Sequence, residues 1–576
     1  MGEKILSPGV FQNESDQSLV QRGIVGSATA IVGPTVLGQP YVPTYVTSYS
    51  EYVSKFGESF KSGSYYYEYF TSLTAKDFFQ NGGQTLLVTR IINGSGSATV
   101  STYASASVRS ILHPDSSSFV LETLAWGDIL NNVGPIVSGA LESGSASNVR
   151  WEITNVNTSS GVFNLAIRLG NDNTAQPNYI ETWPNLSLDP ALPNFISRVI
   201  GDIKPVYRED SNFVPYIDFT GSYANASQYV RVKSVNNIQV DSIDNNGNFK
   251  SGSYATGLPQ AGSGSLAGAF AGGIAATSTQ ALMNEAITTS NIQGFSPVNY
   301  ISAFNLLSNQ DEYRFNVLLA PGISLDNSAA STMISTCEGR GDAIAVLDTK
   351  IYGANITSAA NAAAGQSSNY ATTYWPWVQL FSSTLGKSVW CPPTTVIGGV
   401  YAFNDQVAAS WFAPAGLNRG GVPSVLRAER KLSQNDRDLL YQANVNPLAT
   451  FPGEGVVVFG QKTLQKKSTA LDRVNVRRLL IALKDYIGQV GNNLVFEQNT
   501  NVTRNRFLSQ VNPYLESVVQ RQGLYAYKVV MDDSNNTPDV IDRNQLVGQI
   551  YIQPTKTAEF IILNFNVQPT GATFPA

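Results

Sequence analysis

An α/β alternation begins at Gly23, stops near Asn93 and resumes after Gly294, and this interruption limits the folds open to the chain. In the first piece, IVGSATAIVG is small and β-branched, as in a buried strand. SGSYYYEYFTSLTAKDFFQNGG reads as a helix with a glycine stop, and TLLVTRII (Thr85–Ile92) as a second strand. In the second piece a helix is expected around Val298–Leu307, a strand in FNVLLAPG, a helix around Ser328–Gly339 and a buried strand over Asp342–Thr349. Strand, helix, strand in both pieces argues for βαβ units sharing one sheet. The expected fold is therefore mixed α/β (α+β) and multidomain, with a discontinuous core domain.

The interruption itself has a different chemistry. From Asn93 to about Ser290 the chain is rich in Ser, Gly and Asn. Trp151, Ile153 and Val156 precede a turn at Ser159-Ser160-Gly161, and Phe163, Leu165, Ile167 and Leu169 alternate after it, which is a hairpin signature. Asn246-Gly247 is the favoured type I′ pair. The segment reads as an inserted β-rich domain, and SGSYATGLPQAGSGS (Ser251–Ser265) as the returning loop.

The ends differ again. Residues 1–22 have no core of their own, and Pro8-Gly9 breaks them before the extended chemistry of Val10-Phe11, so they read as an arm. Past Ser424 the charge density rises. Ser433 caps a helix, Gly455–Gly460 is a strand, and Asn512-Pro513 starts a helix that stops at Gly523. LYAYKVVMDD, IDRNQLVGQIYIQP and TAEFIILNFNVQP follow as three strands. The resulting division is an arm at 1–22, a core at 23–92 and 288–423, an insertion at 93–287 and a C-terminal domain at 424–576.

One helix carries a charge pattern. In STALDRVNVRRLLIALKDYIGQV (Ser468–Val490), Thr469 can act as N-cap with Asp472 three residues later. Val476, Leu479, Leu480, Leu483, Ile487 and Val490 form an apolar face, and Arg473, Arg477 and Lys484 fall in a narrow band beside it. A solvated flank accounts for such a band as readily as a binding surface does.

Composition narrows the function. Only 14% of the 576 residues are charged, against a usual ~25%. Low charge fits either a Ser/Thr/Asn surface or a surface covered by other copies of the chain. A net charge of −5 and the lack of any Lys/Arg block argue against nucleic acid as a partner. Cys337 and Cys391 cannot make a disulfide framework. No signal peptide is expected, since residues 1–22 lack an apolar core, and no run is long enough for a bilayer span. His113 is the single histidine, so neither HExxH nor a histidine metal pair is available. Gly386-Lys387-Ser388 imitates the end of a P-loop, but Phe381 stands where its first glycine belongs. Gly262, Gly264 and Ala267 match GxGxxA without a preceding strand, and Asp532-Asp533 sits in a turn-like run. Nothing here argues for an enzyme, a metal or a cofactor.

Other motifs, taken in order, resemble the contractile tail sheath proteins of bacteriophages. They are SPGVFQNE at Ser7–Glu14, IVGPTVLGQPYVPTYVTSYSEYVSKFG at Ile31–Gly57, GGQTLLVTRI at Gly82–Ile91 and AGGIAAT around Gly272-Gly273. WFAPAGLNRGGV at Trp411–Val422, LDRVNVRRLLIALK, NNTPDVIDRNQL and IYIQPTKTAEFIILNF complete the set. The insertion carries no part of the resemblance.

The resemblance implies a structural protein that stacks as hexameric rings around a tail tube. It contracts on a baseplate signal and drives the tube through the host envelope. The implied partners are other copies of the chain, the tail tube protein, and baseplate and tail terminator proteins. The implied location is the virion tail, after assembly in the host cytoplasm. Terminal arms of such proteins add strands to the C-terminal sheets of neighbours. Here that assigns inter-protomer pairing to Pro8, Gly9, Val10, Phe11, Gln12 and Asn13, and to Glu559, Phe560, Ile561, Ile562, Leu563, Asn564 and Phe565. The family also sets a helix of this domain against the tube, which would turn Arg473, Arg477 and Lys484 towards acidic groups there. The alternatives are the sheath of a related injection machine and a virion enzyme that degrades polysaccharide.

Overall fold

The computed structural model describes residues 28–62, 65–92, 105–109, 117–124, 136–142, 148–211, 214–239 and 287–561, with short stretches at 144, 244, 257–260 and 268–270. The N-terminal arm, His113, Asn246-Gly247, Gly262, Gly264, Ala267, Gly272-Gly273 and residues 562–576 lie outside the described residues.

Ala28–Gly33 contains no polar side chain larger than threonine, and all six residues are buried. It pairs in parallel with Leu86–Arg90 on one side and Phe315–Ser324 on the other. Eight strands form the main sheet in the order Thr44–Val46, Leu86–Arg90, Ala28–Gly33, Phe315–Ser324, Ile344–Asp348, Ala371–Trp375, Asn446–Phe451 and Gly455–Val458. The two pieces of the α/β pattern thus join at the sheet centre, through the pairing of Ala28–Gly33 with Phe315–Ser324. Continuous apolar runs suit parallel strands covered on both faces. Alternate residues supply the two faces. Ala30, Val32, Leu318 and Ala320 pack with Tyr300, Phe304, Met333 and Cys337 from the helices Pro297–Leu306 and Ser328–Arg340. Ile31, Val317 and Leu319 pack with Leu73, Phe78, Val396 and Val400 from the helices Phe70–Gln80 and Thr394–Val407.

Several boundaries differ from the sequence expectation. The main sheet continues past residue 423, because Asn446–Phe451 pairs in parallel with Ala371–Trp375 and then turns back into Gly455–Val458. The Tyr-rich run before the first long helix is a strand: Tyr65–Glu68 pairs with Ser59–Ser62, and the helix starts only at Phe70. Aromatic residues suit a half-buried pleated surface as well as a helix face, and here cross-strand pairing decides. Thr469 caps a 3-10 turn, Ala470–Asp472, and the long helix is Val474–Asn492. The next helix is Asn501–Gln520, so Pro513 lies inside it rather than at its start.

The insertion has its own core. Val149–Asn157, Val162–Leu169 and Tyr179–Ser187 form one antiparallel sheet, and Val230–Val235, Ser117–Thr123 and Ser105–Arg109 form another. Phe119 and Phe163 stack between them at 5.6 Å. The insertion also meets the main domain through side-chain packing. A hairpin, Lys204–Glu209 with Pro215–Thr220, places Tyr207 5.6 Å from Tyr41, and both Tyr207 and Ile217 pack into the core of the main domain.

Candidate assembly interface

The loop Trp411–Val422 lies along the last strand of the main sheet. The Gly416 N–H donates to the Val458 carbonyl (2.8 Å), the Val458 N–H to the Gly420 carbonyl (2.8 Å), and the Val422 N–H to the Val456 carbonyl (3.0 Å). A Cβ at Gly420 would come 2.7 Å from the Val458 carbonyl oxygen, so this approach requires glycine. The APAGLNRGG chemistry is thus an edge cover, which occupies backbone groups that would otherwise template another strand.

The C-terminal domain leaves its own edges uncovered. Leu524–Val530 and Gln549–Pro554 form an antiparallel pair, and no third strand joins it among the described residues. Leu524 and Met531 are buried with Phe507, Val511 and Leu515 of the helix Asn501–Gln520. Tyr525 and Tyr551 are 66% and 57% exposed. A lone two-stranded hairpin is marginal in water, and an open edge invites pairing.

Between these features the C-terminal segment is clamped. The Glu559 carboxylate receives the Arg473 guanidinium in a fork (Nε to Oε1 2.7 Å, Nη2 to Oε2 2.9 Å). The Tyr441 hydroxyl donates to Oε2 at 2.7 Å, and Gln461 Nε2 donates to Oε1 at 3.1 Å and to the Thr557 hydroxyl at 2.7 Å. Burial alone would raise the Glu559 carboxyl, but donors from Arg473, Tyr441 and Gln461 outweigh it and hold it below the usual carboxylate range. Phe560 and Ile561, next along the chain, are 78% and 77% exposed. A groove of about 960 Å³ lies alongside, walled by Trp411, Phe412, Tyr441, Phe459, Tyr525 and Phe560.

These positions correct two expectations. Glu559 makes its contacts within its own chain, and an arm free to pair elsewhere starts no earlier than Phe560. Ile562, Leu563, Asn564 and Phe565, like Pro8 to Asn13, lie outside the described residues. The cationic band is not a free surface either. Arg473 is taken by Glu559 and Asp472. Arg477 is buried, stacks 4.0 Å from the centre of the Tyr370 ring and donates to the Asn369 carbonyl (3.1 Å) and side chain (2.8 Å). Lys484 is exposed, with Nζ 3.2 Å from the Tyr370 hydroxyl. Arg477 and Lys484 therefore tie the helix Val474–Asn492 to the main domain, while Arg473 holds the C-terminal segment at Glu559. The partners lie about a hundred positions away in the chain, beyond the reach of helical spacing. Sequence reasoning missed Tyr441, Gln461, Asn369 and Tyr370. One signal was available for the first two: Glu559 is a lone acid in the apolar run AEFIILNF, and a charge there needs a partner.

Among the described residues no cluster of three or more His, Cys, Asp or Glu could hold a metal ion, and no helix is long and apolar enough to cross a membrane. Cys337 and Cys391 are buried free thiols.

Residues 299–464 match the phage tail sheath protein central domain, and residues 466–568 match the phage tail sheath C-terminal domain. The junction between the two falls after the main sheet and before the long helix, as in the structure. The tail sheath protein of Vibrio phage KVP40 is 41% identical over 188 residues, 33% of this chain and 28% of that protein. The tail sheath protein of Enterobacteria phage T4 is 41% identical over 185 residues, 32% of this chain and 28% of that protein. The aligned stretch thus spans under a third of these relatives. The crystal structure of a sheath tail protein from Listeria innocua shares the fold, at a TM-score of 0.52 and 11% identity over 92% of this chain and 96% of that one. Two stretches of the chain, residues 299–464 and 466–568, are thus similar to the central and C-terminal domains of phage tail sheath proteins.

Proposed function

We propose that the chain is the repeating subunit of a contractile tail sheath. Copies assemble as stacked six-fold rings around a tail tube and shorten to drive the tube through a host envelope. The observation that carries this reading is the C-terminal hairpin, which no third strand joins among the described residues, beside the exposed Phe560 and Ile561. Strand addition from neighbouring copies satisfies such edges. Each backbone hydrogen bond contributes only about 0.5–1.5 kcal/mol net, and repetition over many copies makes the mesh strong. The role is structural, and baseplate, tube and terminator proteins are its partners in the virion tail. The low overall charge and the match to both sheath domains support the reading. Negative-stain microscopy of the purified chain tests it: rings or tubes are expected, and a monodisperse monomer at high concentration overturns it.

A further inference from the structure

The clamp at Glu559 joins parts that the sheath reading treats as separate. Tyr441 and Gln461 belong to the central domain, whereas Arg473 and Glu559 belong to the C-terminal domain. One carboxylate accepts four hydrogen bonds from three segments. One further cation crowds the same place: Lys462 Nζ lies 4.4 Å from the Tyr441 ring centre, and the Arg473 guanidinium itself lies 5.9 Å from it. The side chains of Arg473 and Glu559 are only 24% and 18% exposed, so solvent screens the pair little. Two residues upstream, the Thr557 hydroxyl accepts from Gln461, and Thr555 donates its hydroxyl to the Gln522 carbonyl at 2.7 Å. Immediately downstream the chain is open to solvent.

We infer that Glu559 is a positioning residue that fixes where the C-terminal arm leaves the subunit and ties that point to both sheath domains. The inference rests on the sheath reading, and it specifies a root for the arm. With that root fixed, the residues after Glu559 start each search for a neighbour from one place and direction, which lowers the ordering cost of pairing. Tension on the arm then passes through Tyr441 and Gln461 into the central domain and through Arg473 into the long helix. A pulled arm cannot peel away from its own subunit without first breaking the fork.

The test separates the root from the assembly. Both native cysteines are buried, so a spin label can be placed at Ile561→Cys in the full chain. In the otherwise native chain the label should move slowly. Glu559→Ala should speed its motion several-fold, Tyr441→Phe should do so partially, and Arg506→Ala, which breaks an exposed pair with Glu497, should leave it unchanged. Tubes formed by Glu559→Ala should be at least threefold shorter than wild type, with the Glu559→Gln variant between. Unchanged label motion in Glu559→Ala overturns the root. Faster motion with tubes of wild-type length overturns its role in assembly. A wild-type chain that forms no tubes removes the sheath reading itself, while label motion still decides whether the segment is pinned. If Glu559→Ala fails to fold, Tyr441→Phe and Glu559→Gln carry both measurements.

Discussion

The inserted domain and the C-terminal hairpin are both antiparallel β-structure, yet they finish their hydrogen bonding and charge in opposite ways. In the insertion, Arg168 forks onto Asp172 (2.7 and 3.0 Å), reaches Glu152 at 3.2 Å and lies fully buried, while Arg231 meets Glu122 at 2.9 Å. All these partners come from the same domain, and its apolar core closes around Phe119 and Phe163. The C-terminal hairpin keeps two large aromatics in water, and among the described residues its edges stay open. Its domain's Glu559 accepts from Tyr441 and Gln461 of the central domain as well as from Arg473. One region pairs its buried charges within itself, and the other, on the sheath reading proposed above, is completed by neighbours.

The largest expected effect tests that contrast directly. Removing residues 1–22, or residues 555–576, should abolish tubes while circular dichroism shows a folded subunit. Replacing residues 93–287 by a short Gly/Ser linker should keep tubes, with a lower melting temperature because Tyr41 loses Tyr207. Tubes from either truncation, or loss of all assembly on removing the insertion, would dissolve the distinction. Next in size is Phe163→Ala, which should cost about 3–5 kcal/mol in the insertion alone. Calorimetry should show an early transition for that domain and an unmoved one for the main sheet.

Asp77, in the helix Phe70–Gln80 of the main domain, sharpens the comparison, because it is a buried carboxylate held by a Ser424 hydroxyl (2.6 Å) and not by a cation. Its other oxygen faces Gly399, where a Cβ would stand 2.2 Å away. Burial pushes its pKa up to about 7, against the lowering by Ser424 and Asn81. Below about pH 4 the folded and unfolded chains both carry this carboxyl protonated, and Asp77→Asn should change little. Between about pH 4 and about pH 7 the folded chain holds a proton that the unfolded chain has lost, so the native protein loses stability as pH rises across that window. The variant should therefore be the more stable at pH 8, by on the order of 2 kcal/mol in urea denaturation. An equal gain at pH 4 would remove the electrostatic explanation.

The smallest effects belong to exposed groups. Tyr525→Ser should move subunit stability by no more than about 0.5 kcal/mol, yet shorten tubes. Lys484→Ala should cost about 0–1 kcal/mol in melting experiments, consistent with an exposed cation beside Tyr370.

Periodicity made the main sheet legible, since its strands are short apolar runs between helices and the two pieces of the pattern had to share a core. The arm assignment and the sheath resemblance came from motifs, and the edge-cover role of APAGLNRGG was not readable from them. Errors fell where a residue's environment is set from far away. Tyr65–Glu68 became a strand because Ser59–Ser62 lies opposite. Pro513 is tolerated inside a helix whose first turns begin twelve residues earlier. The Arg473–Arg477–Lys484 band is an accurate helical pattern whose meaning depends on Asn369, Tyr370 and Glu559. The Glu559 site joins residues 441, 461, 473 and 559, and local spacing says nothing about their meeting.

The loop over Gly455–Val458 has a consequence for crowding. A protein that polymerises is present at high local concentration during growth, where every spare sheet edge competes for incoming strands. At the opposite end the main sheet finishes in a strand of three residues, Thr44–Val46. One margin is thus covered by its own loop, and the other offers a strand of only three residues, so the eight-stranded sheet presents little edge to another strand. On the sheath reading proposed above, this would funnel encounters between subunits to the small hairpin and confine the chemistry that could seed a disordered aggregate to the place where joining is productive.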